Sequence, residues 1–190
     1  MMKLNVKKLR QEKNTIIVSS KESLKDIEPI QWSDDVLEGK TVFWVLRYIG
    51  CTVCRYDVHL IQERYQEFKD KNAKVFVVMQ SDQQHIQNDL KDIQLPFDII
   101  CDPEMKIYNE LSIEPASSMQ ELGGGADNIA LLKEKGAKAA ACGFSHGDYE
   151  GNEQQLPAMF IVNEEGIITY AHYAKNIMDM PTVDEVLNLL

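Results

Sequence analysis

Three stretches of the chain are almost continuously apolar and rich in β-branched residues: "TVFWVLRYI" (41–49), "AKVFVVMQ" (73–80) and "FDIIC" (97–101). Runs of that length and composition predict strands buried on both faces. Between the first two, Val58, Ile61, Tyr65 and Phe68 recur at spacings of three and four, so one stripe of a helix faces a core. That helix ends near Lys71-Asn72, with Asn as the left-handed cap. Ser81 and Gln84 form a capping-box pattern opening a helix to about Ile93. Asp102-Pro103 reads as an N-cap followed by Pro at the first helical position, opening a helix to Leu111. Near the end, "PAMFIVNEEGIITYAHY" predicts two strands joined by a turn at Glu165-Gly166. "PTVDEVLNLL" predicts a last helix capped by Thr182 and Glu185.

Two segments break this rhythm. Residues 1–40 are polar and irregular, apart from the apolar "TIIV" at 15–18 and a short helix predicted near Lys21–Ile27. Residues 114–155 hold seven of the ten glycines and no strand signal, and are expected to form a helical and loop insertion. At 190 residues the chain is expected to form one domain. Its leading strand–helix–strand units predict parallel pairing with right-handed crossovers. The closing hairpin adds antiparallel strands. The expected architecture is α/β: a mixed central sheet with helices on both faces.

Composition narrows the function. With 20 Lys+Arg against 30 Asp+Glu the formal net charge is −10, which repels phosphate backbones and anionic surfaces. Nucleic acid and membrane are therefore not expected partners. The opening lacks a signal-peptide core, and no apolar run approaches the roughly 18 residues of a membrane span. A cytoplasmic protein is expected, in which a disulfide would be transient and catalytic.

The chemistry is concentrated in "GCTVCRYDVH", where Cys51 and Cys54 stand two residues apart as strand gives way to helix. A helix N-terminus offers free N–H groups and partial positive charge, both favouring thiolate over thiol. Arg47 and Arg55 lie nearby in sequence as candidates to stabilise that thiolate. The thiolate is the reactive nucleophile. In this reading Cys51 attacks and Cys54 resolves. Two buried structural thiols are the plainer alternative. Zinc would require distant ligands among Cys101, Cys142, His59 and His146, because no second ligand pair is present. A covalent haem motif fails because Arg55 occupies the position where His is needed. A C-x-x-C opening the helix of a strand–helix–strand unit is most specifically a redox signal.

The segments "VFWVLRYIGCTVCRYDVHLIQERYQEF", "DIICDPEMKIYNEL" and "LPAMFIVNEEGIITYAHY" resemble, in order and spacing, the thioredoxin superfamily. Within it they are most similar to the peroxiredoxin-like branch, related to alkyl hydroperoxide reductase and thiol-specific antioxidant proteins. The resemblance covers about 36–113 and 155–190 and leaves the insertion unmatched. It implies a thioredoxin-like fold, with Cys51 and Cys54 as the redox pair and Pro157 as a cis-proline packed against the dithiol. Typical members carry Thr or Ser three residues before the peroxidatic cysteine, Pro seven before, and an arginine far downstream. Here those two positions before Cys51 hold Tyr48 and Trp44, and no arginine follows Arg64.

Other candidates are weaker. Cys142, near His146 in "AAACGFSHGD", is either an extra redox thiol or a small helix residue. Cys101 ends a buried strand and is expected to be structural. Gly123–Gly125 follows no strand and has no Lys-Ser/Thr partner, so a loop is expected rather than a phosphate cradle. His59 and His172 are expected to pack, and Asp57 is either a proton acceptor during exchange or an acid favoured by the helix dipole.

The expected activity is thiol-dependent oxidoreduction through the Cys51–Cys54 couple, acting on a peroxide or a disulfide. Electrons would come from an external thiol or a thioredoxin-type reductant, and no bound cofactor is required. The rival is a non-catalytic binding protein that uses the insertion as its contact surface.

Overall fold

The computed structural model describes residues 16–18, 39–90, 93–164 and 166–190, with side chains at all but 16–18 and 127. The helix expected near Lys21–Ile27 and the turn residue Glu165 lie outside them. Six strands form one mixed sheet: β1 (Ile16–Val18), β2 (Lys40–Val45), β3 (Ala73–Met79), β4 (Asp98–Cys101), β5 (Ala158–Val162) and β6 (Ile168–Tyr173). Their order is β1-β4-β3-β2-β5-β6. β2, β3 and β4 pair in parallel, while β5, β6 and β1 join antiparallel.

The apolar runs are continuous because the central strands are covered twice. Val42 and Trp44 of β2 point into one core with Val75, Val77 and Met79 of β3. Helices α1 (Thr52–Glu63), α2 (Tyr65–Asp70), α3 (Gln83–Leu90) and α7 (Val183–Leu189) close that side through Val58, Ile61, Phe68, Ile86, Val183 and Val186. Phe43, Val45, Phe76 and Val78 point the other way, onto Ile107 and Tyr108 of α4 (Lys106–Glu110). Each such side chain contributes about 1.5–3 kcal/mol when fully buried.

Local chemistry departs from expectation in informative places. β2 ends at Val45, not Ile49, and Leu46–Gly50 form a turn before the cysteines. Tyr108 accounts for part of this, since its buried hydroxyl donates to the Leu46 carbonyl at 2.5 Å and holds it outside the ladder. The helix after the dithiol is broken at Arg64 (φ −115°, ψ 14°), whose guanidinium forks to Glu67 and Asp184. Ser81 does not cap α3, because its hydroxyl accepts from Ile49 N and donates to Glu150; Asp82 accepts the His85 N–H instead. Asp102 does cap α4, but from a distance: its carboxylate receives the Lys106 and Ile107 N–H groups, while Met105 takes a left-handed backbone. The last helix carries the expected Thr182–Glu185 capping box, and Asn72 the expected positive φ. The short "IIV" at 16–18 is an edge strand on β4.

The segment 114–155 holds two helices, α5 (Met119–Leu122) and α6 (Gly125–Ala141). Gly123–Gly125 make the corner between them, with positive φ at Gly124 and Gly125. None of the described helices is long and apolar enough to cross a membrane. Replacing Tyr108 by Phe should leave the Leu46 carbonyl unpaired in the core and cost about 1–3 kcal/mol, read as a lower urea midpoint at constant m-value.

Candidate active site

Cys51 is the N-cap of α1, and Cys54 sits one turn into the helix. Their sulfurs lie 2.7 Å apart, within a side-chain rotation of the roughly 2.05 Å of a disulfide bond. Both are buried, at 3% and 2% exposure. The turn that ends β2 folds Arg47 back so that Nη1 stands 3.5 Å from the Cys51 sulfur.

The two thiols are driven apart in acidity. The Cys54 thiol donates to the Cys51 sulfur and is the largest influence bringing the Cys51 pKa down to about 7. Burial opposes it; Arg47 and the Cys54 backbone N–H help, and Asp57 opposes weakly. Cys54 is pushed well up, by burial first and then by its bond to Cys51 and the negative charge there. One sulfur is thus poised as nucleophile and the other held as thiol, the division of labour a resolving pair needs.

Of the two arginines, only Arg47 reaches the site. Arg55 lies one turn along α1, where its guanidinium pairs with Asp89 of α3 at 2.9 Å and stacks on Phe144 at 5.2 Å. The expectation for Pro157 also fails. No cis peptide occurs among the described residues, so Leu156–Pro157 is trans. The chain approaches β5 extended, through a bridge between Pro115 and Gln155 and a Gln155 side chain bonded to the Ile113 carbonyl. A trans bond continues that path in the form X-Pro favours by about 0.5–1 kcal/mol.

After α6, residues 144–153 run as a strap across the turn that carries Arg47–Gly50. Phe144 packs edge-on to His59, and Gly147 N donates to Gly50 O at 2.8 Å. Glu150 accepts from Ser81 Oγ at 2.9 Å. The Gln80 carboxamide both donates to Asn152 O and accepts from Asn152 N. The Glu153 carbonyl accepts from Arg47 Nη2. Contact at Gly50 is close enough that a Cβ there would lie 2.2 Å from the Asp148 carbonyl oxygen. His85 Nδ1 lies 2.9 Å from Asp82 and 3.4 Å from Glu150 of the strap. The strap's contribution was missed from sequence; Gly50 and Gly147, facing each other with Gly147 3.0 Å from an added Gly50 Cβ, were the available signal.

The remaining candidates stay outside the dithiol. Cys142 is exposed at the C-cap of α6, and His146 turns to Tyr48 and Tyr149. Cys101 is buried and its thiol is pushed up to about 12, mainly by burial. His172 Nε2 lies 2.5 Å from the Asp179 carbonyl, so it fastens β6 to the following loop. Asp57 is bound by Lys135 of α6 at 2.6 Å, tying the insertion to α1, and burial raises its carboxyl pKa.

The AhpC/TSA family model matches residues 14–171. A search of curated proteins finds no match. Among solved structures, the reduced 2-Cys peroxiredoxin of Plasmodium vivax is 11% identical, with a TM-score of 0.64 over 92% of this chain and 87% of that one. AhpC of Enterococcus faecalis is 13% identical, with a TM-score of 0.61 over 92% and 84%. A yeast mitochondrial 1-Cys peroxiredoxin, described with a thiol resolving mechanism via glutathione/thioredoxin systems, is 14% identical, with a TM-score of 0.56 over 82% and 64%. The likeness to these structures is one of fold, whereas the family match spans most of the sequence: this chain belongs to the AhpC/TSA family and is a peroxiredoxin-like, thiol-dependent oxidoreductase.

Proposed function

We propose that Cys51 and Cys54 are the redox couple, and that the substrate is a small hydroperoxide. The observation that carries the reading is a buried, thiolate-poised Cys51 in contact with Arg47 beneath the 144–153 strap. A protein disulfide cannot approach so buried a sulfur while the strap is in place, whereas hydrogen peroxide or a short alkyl hydroperoxide needs little space. We read residues 114–155 as an insertion on a single thioredoxin-like domain, serving as its cover.

Arg47 suits the chemistry in a second respect. Its Nε is buried and has no hydrogen-bond partner among the described residues. An unmet buried donor costs about 1–3 kcal/mol, and a peroxide oxygen beside the sulfur would satisfy it. Preorganised donors of this kind polarise the bond that breaks, here O–O. Attack by the thiolate gives a Cys51 sulfenic acid and releases water or an alcohol; Cys54 then condenses with it into a disulfide and releases water. Regeneration needs two electrons from an external thiol or a thioredoxin-type reductant, of the sort named for the yeast structural neighbour. A protein reductant would have to meet the disulfide with the strap released.

Quenching reduced protein at short times after adding hydrogen peroxide should show the Cys51–Cys54 disulfide by mass, forming far faster than free cysteine is oxidised. Cys51→Ser should abolish it, and Cys54→Ser should stop at a Cys51 sulfenic acid that dimedone traps. Wild-type oxidation no faster than free cysteine would overturn the peroxide reading.

The acidity of Cys51 gives a pH signature. The fraction present as thiolate falls as pH drops through about 7, so its alkylation by iodoacetamide should rise across that range and level off above it. Arg47→Met should move the midpoint upward, towards the ordinary 9.0, and slow alkylation at pH 7. Gly50→Ala tests the cover, since its Cβ would force the Asp148 backbone away. Labelling of Cys51 by a bulky maleimide should accelerate by roughly tenfold for each 1.4 kcal/mol by which opening becomes easier.

A further inference from the structure

We propose that Tyr48 and His146 form a proton route from solvent to the covered dithiol, in which the Tyr48 hydroxyl is the donor to the oxygen that leaves when peroxide is cleaved. The inference rests on the peroxide reading above and adds to it the residues that complete the proton balance.

The need for such a route follows from burial. Reaction of a thiolate with a hydroperoxide, S⁻ + ROOH + H⁺ → SOH + ROH, forms an S–O bond, breaks the O–O bond and consumes one proton. Sulfur loses two electrons, and the leaving oxygen gains them as an alkoxide or hydroxide that must be protonated. Cys51 is 3% exposed, so water does not reach it freely. Cys54 keeps its proton for the condensation that follows, which releases water and needs no external proton.

The structure places a polar path beside the sulfur. Tyr48 is buried, and its carbonyl accepts the Cys51 N–H at 3.2 Å. The Arg47 guanidinium is near both groups, its Nη1 3.5 Å from the Cys51 sulfur and its central carbon 5.0 Å from the Tyr48 ring centroid. On its other side the Tyr48 hydroxyl stands 3.3 Å from Nε2 of His146, on the strap. His146 is exposed, with its ring 4.4 Å from that of Tyr149. One member of the pair therefore touches solvent, and the other packs against the arginine that contacts the Cys51 sulfur.

The tautomer is set by the strap. His146 Nδ1 lies 2.8 Å from the Gly147 carbonyl, which can only accept, so Nδ1 carries a proton. In the neutral ring Nε2 accepts from the Tyr48 hydroxyl. In the imidazolium Nε2–H donates to the Tyr48 oxygen, which frees the phenolic proton to point elsewhere. Transfer then runs in order: Tyr48 protonates the leaving oxygen, His146 reprotonates the phenolate, and solvent refills His146. The phenol remains protonated until that moment, because burial first, and then the charges of Cys51 and Cys54, push its pKa up to about 12 against the opposing pull of Arg47. Hydroxide is a far stronger base than the phenolate, so it takes the proton.

The test compares two electrophiles on the reduced protein. Hydrogen peroxide needs a proton for its leaving group; iodoacetamide expels iodide and needs none. Tyr48→Phe should slow Cys51 oxidation by peroxide about 100-fold while leaving alkylation at the same pH unchanged. His146→Phe, at an exposed position where folding is not at stake, should also slow oxidation alone, and the double variant should be no slower than Tyr48→Phe. Equal losses with both reagents would mean that Tyr48 only shapes the site, and would overturn the proposal. So would an unchanged peroxide rate in His146→Phe. A wild-type protein no faster than free cysteine would instead remove the peroxide reading, and this inference with it.

Discussion

The contact between Arg47 and Cys51 is the constraint around which the site is arranged. A guanidinium that is 5% exposed would be costly without a counter-charge, and a thiolate that is 3% exposed would be costly without a cation. Each makes the burial of the other tolerable. For the two to meet, β2 must stop at Val45 and the chain must turn, which the Tyr108 hydroxyl secures by engaging the Leu46 carbonyl. The guanidinium has more donors than one sulfur can use, so a carbonyl is brought to it, that of Glu153 on the strap. The strap and the charge at the dithiol are therefore joined through one side chain.

The same arrangement separates this chain from a dithiol displayed on an open surface. Cys54 supplies the largest influence on Cys51, yet it is itself sealed in the core and held as thiol. The pKa of Cys51 is lowered from within the fold, by a hydrogen bond first and by one cation. The strap is held elsewhere, by the bonds it makes with Gly50, Gln80, Ser81 and Arg47. Acidity and the hold on the strap are set by different residues, apart from Arg47, which belongs to both.

Much of the fold was legible because its central strands are buried on both faces. "TVFWV" and "KVFVV" have no polar alternation to confuse, and their parallel pairing follows from the helix between them. The closeness of Cys51 and Cys54 was legible because the residue spacing and the strand-to-helix change coincide. What escaped has physical reasons. Arg55 and Arg47 both stand four residues from Cys51, and sequence distance does not say that a side chain one turn along the helix turns to Asp89, while one in the preceding turn folds inward. Ser81 looked like a helix cap because sequence does not show that Ile49 N and Glu150 occupy its hydroxyl. Pro157 was assigned its isomer from resemblance, whereas the extended approach through Gln155 sets it here. The strap was least legible. Its residues have no periodicity, and its attachments involve backbone atoms that every sequence possesses.

That last property has a consequence for how such a cover changes over evolutionary time. Gly147 N, Asn152 N and O, and Glu153 O are main-chain groups, available whatever side chains the strap carries. Substitution at Ser145, Asp148 or Tyr149 can alter the outer surface without unfastening these bonds. The lineage is thereby free to vary what meets the solvent above the dithiol while what lies beneath stays fixed, so diversification of partners need not disturb the chemistry.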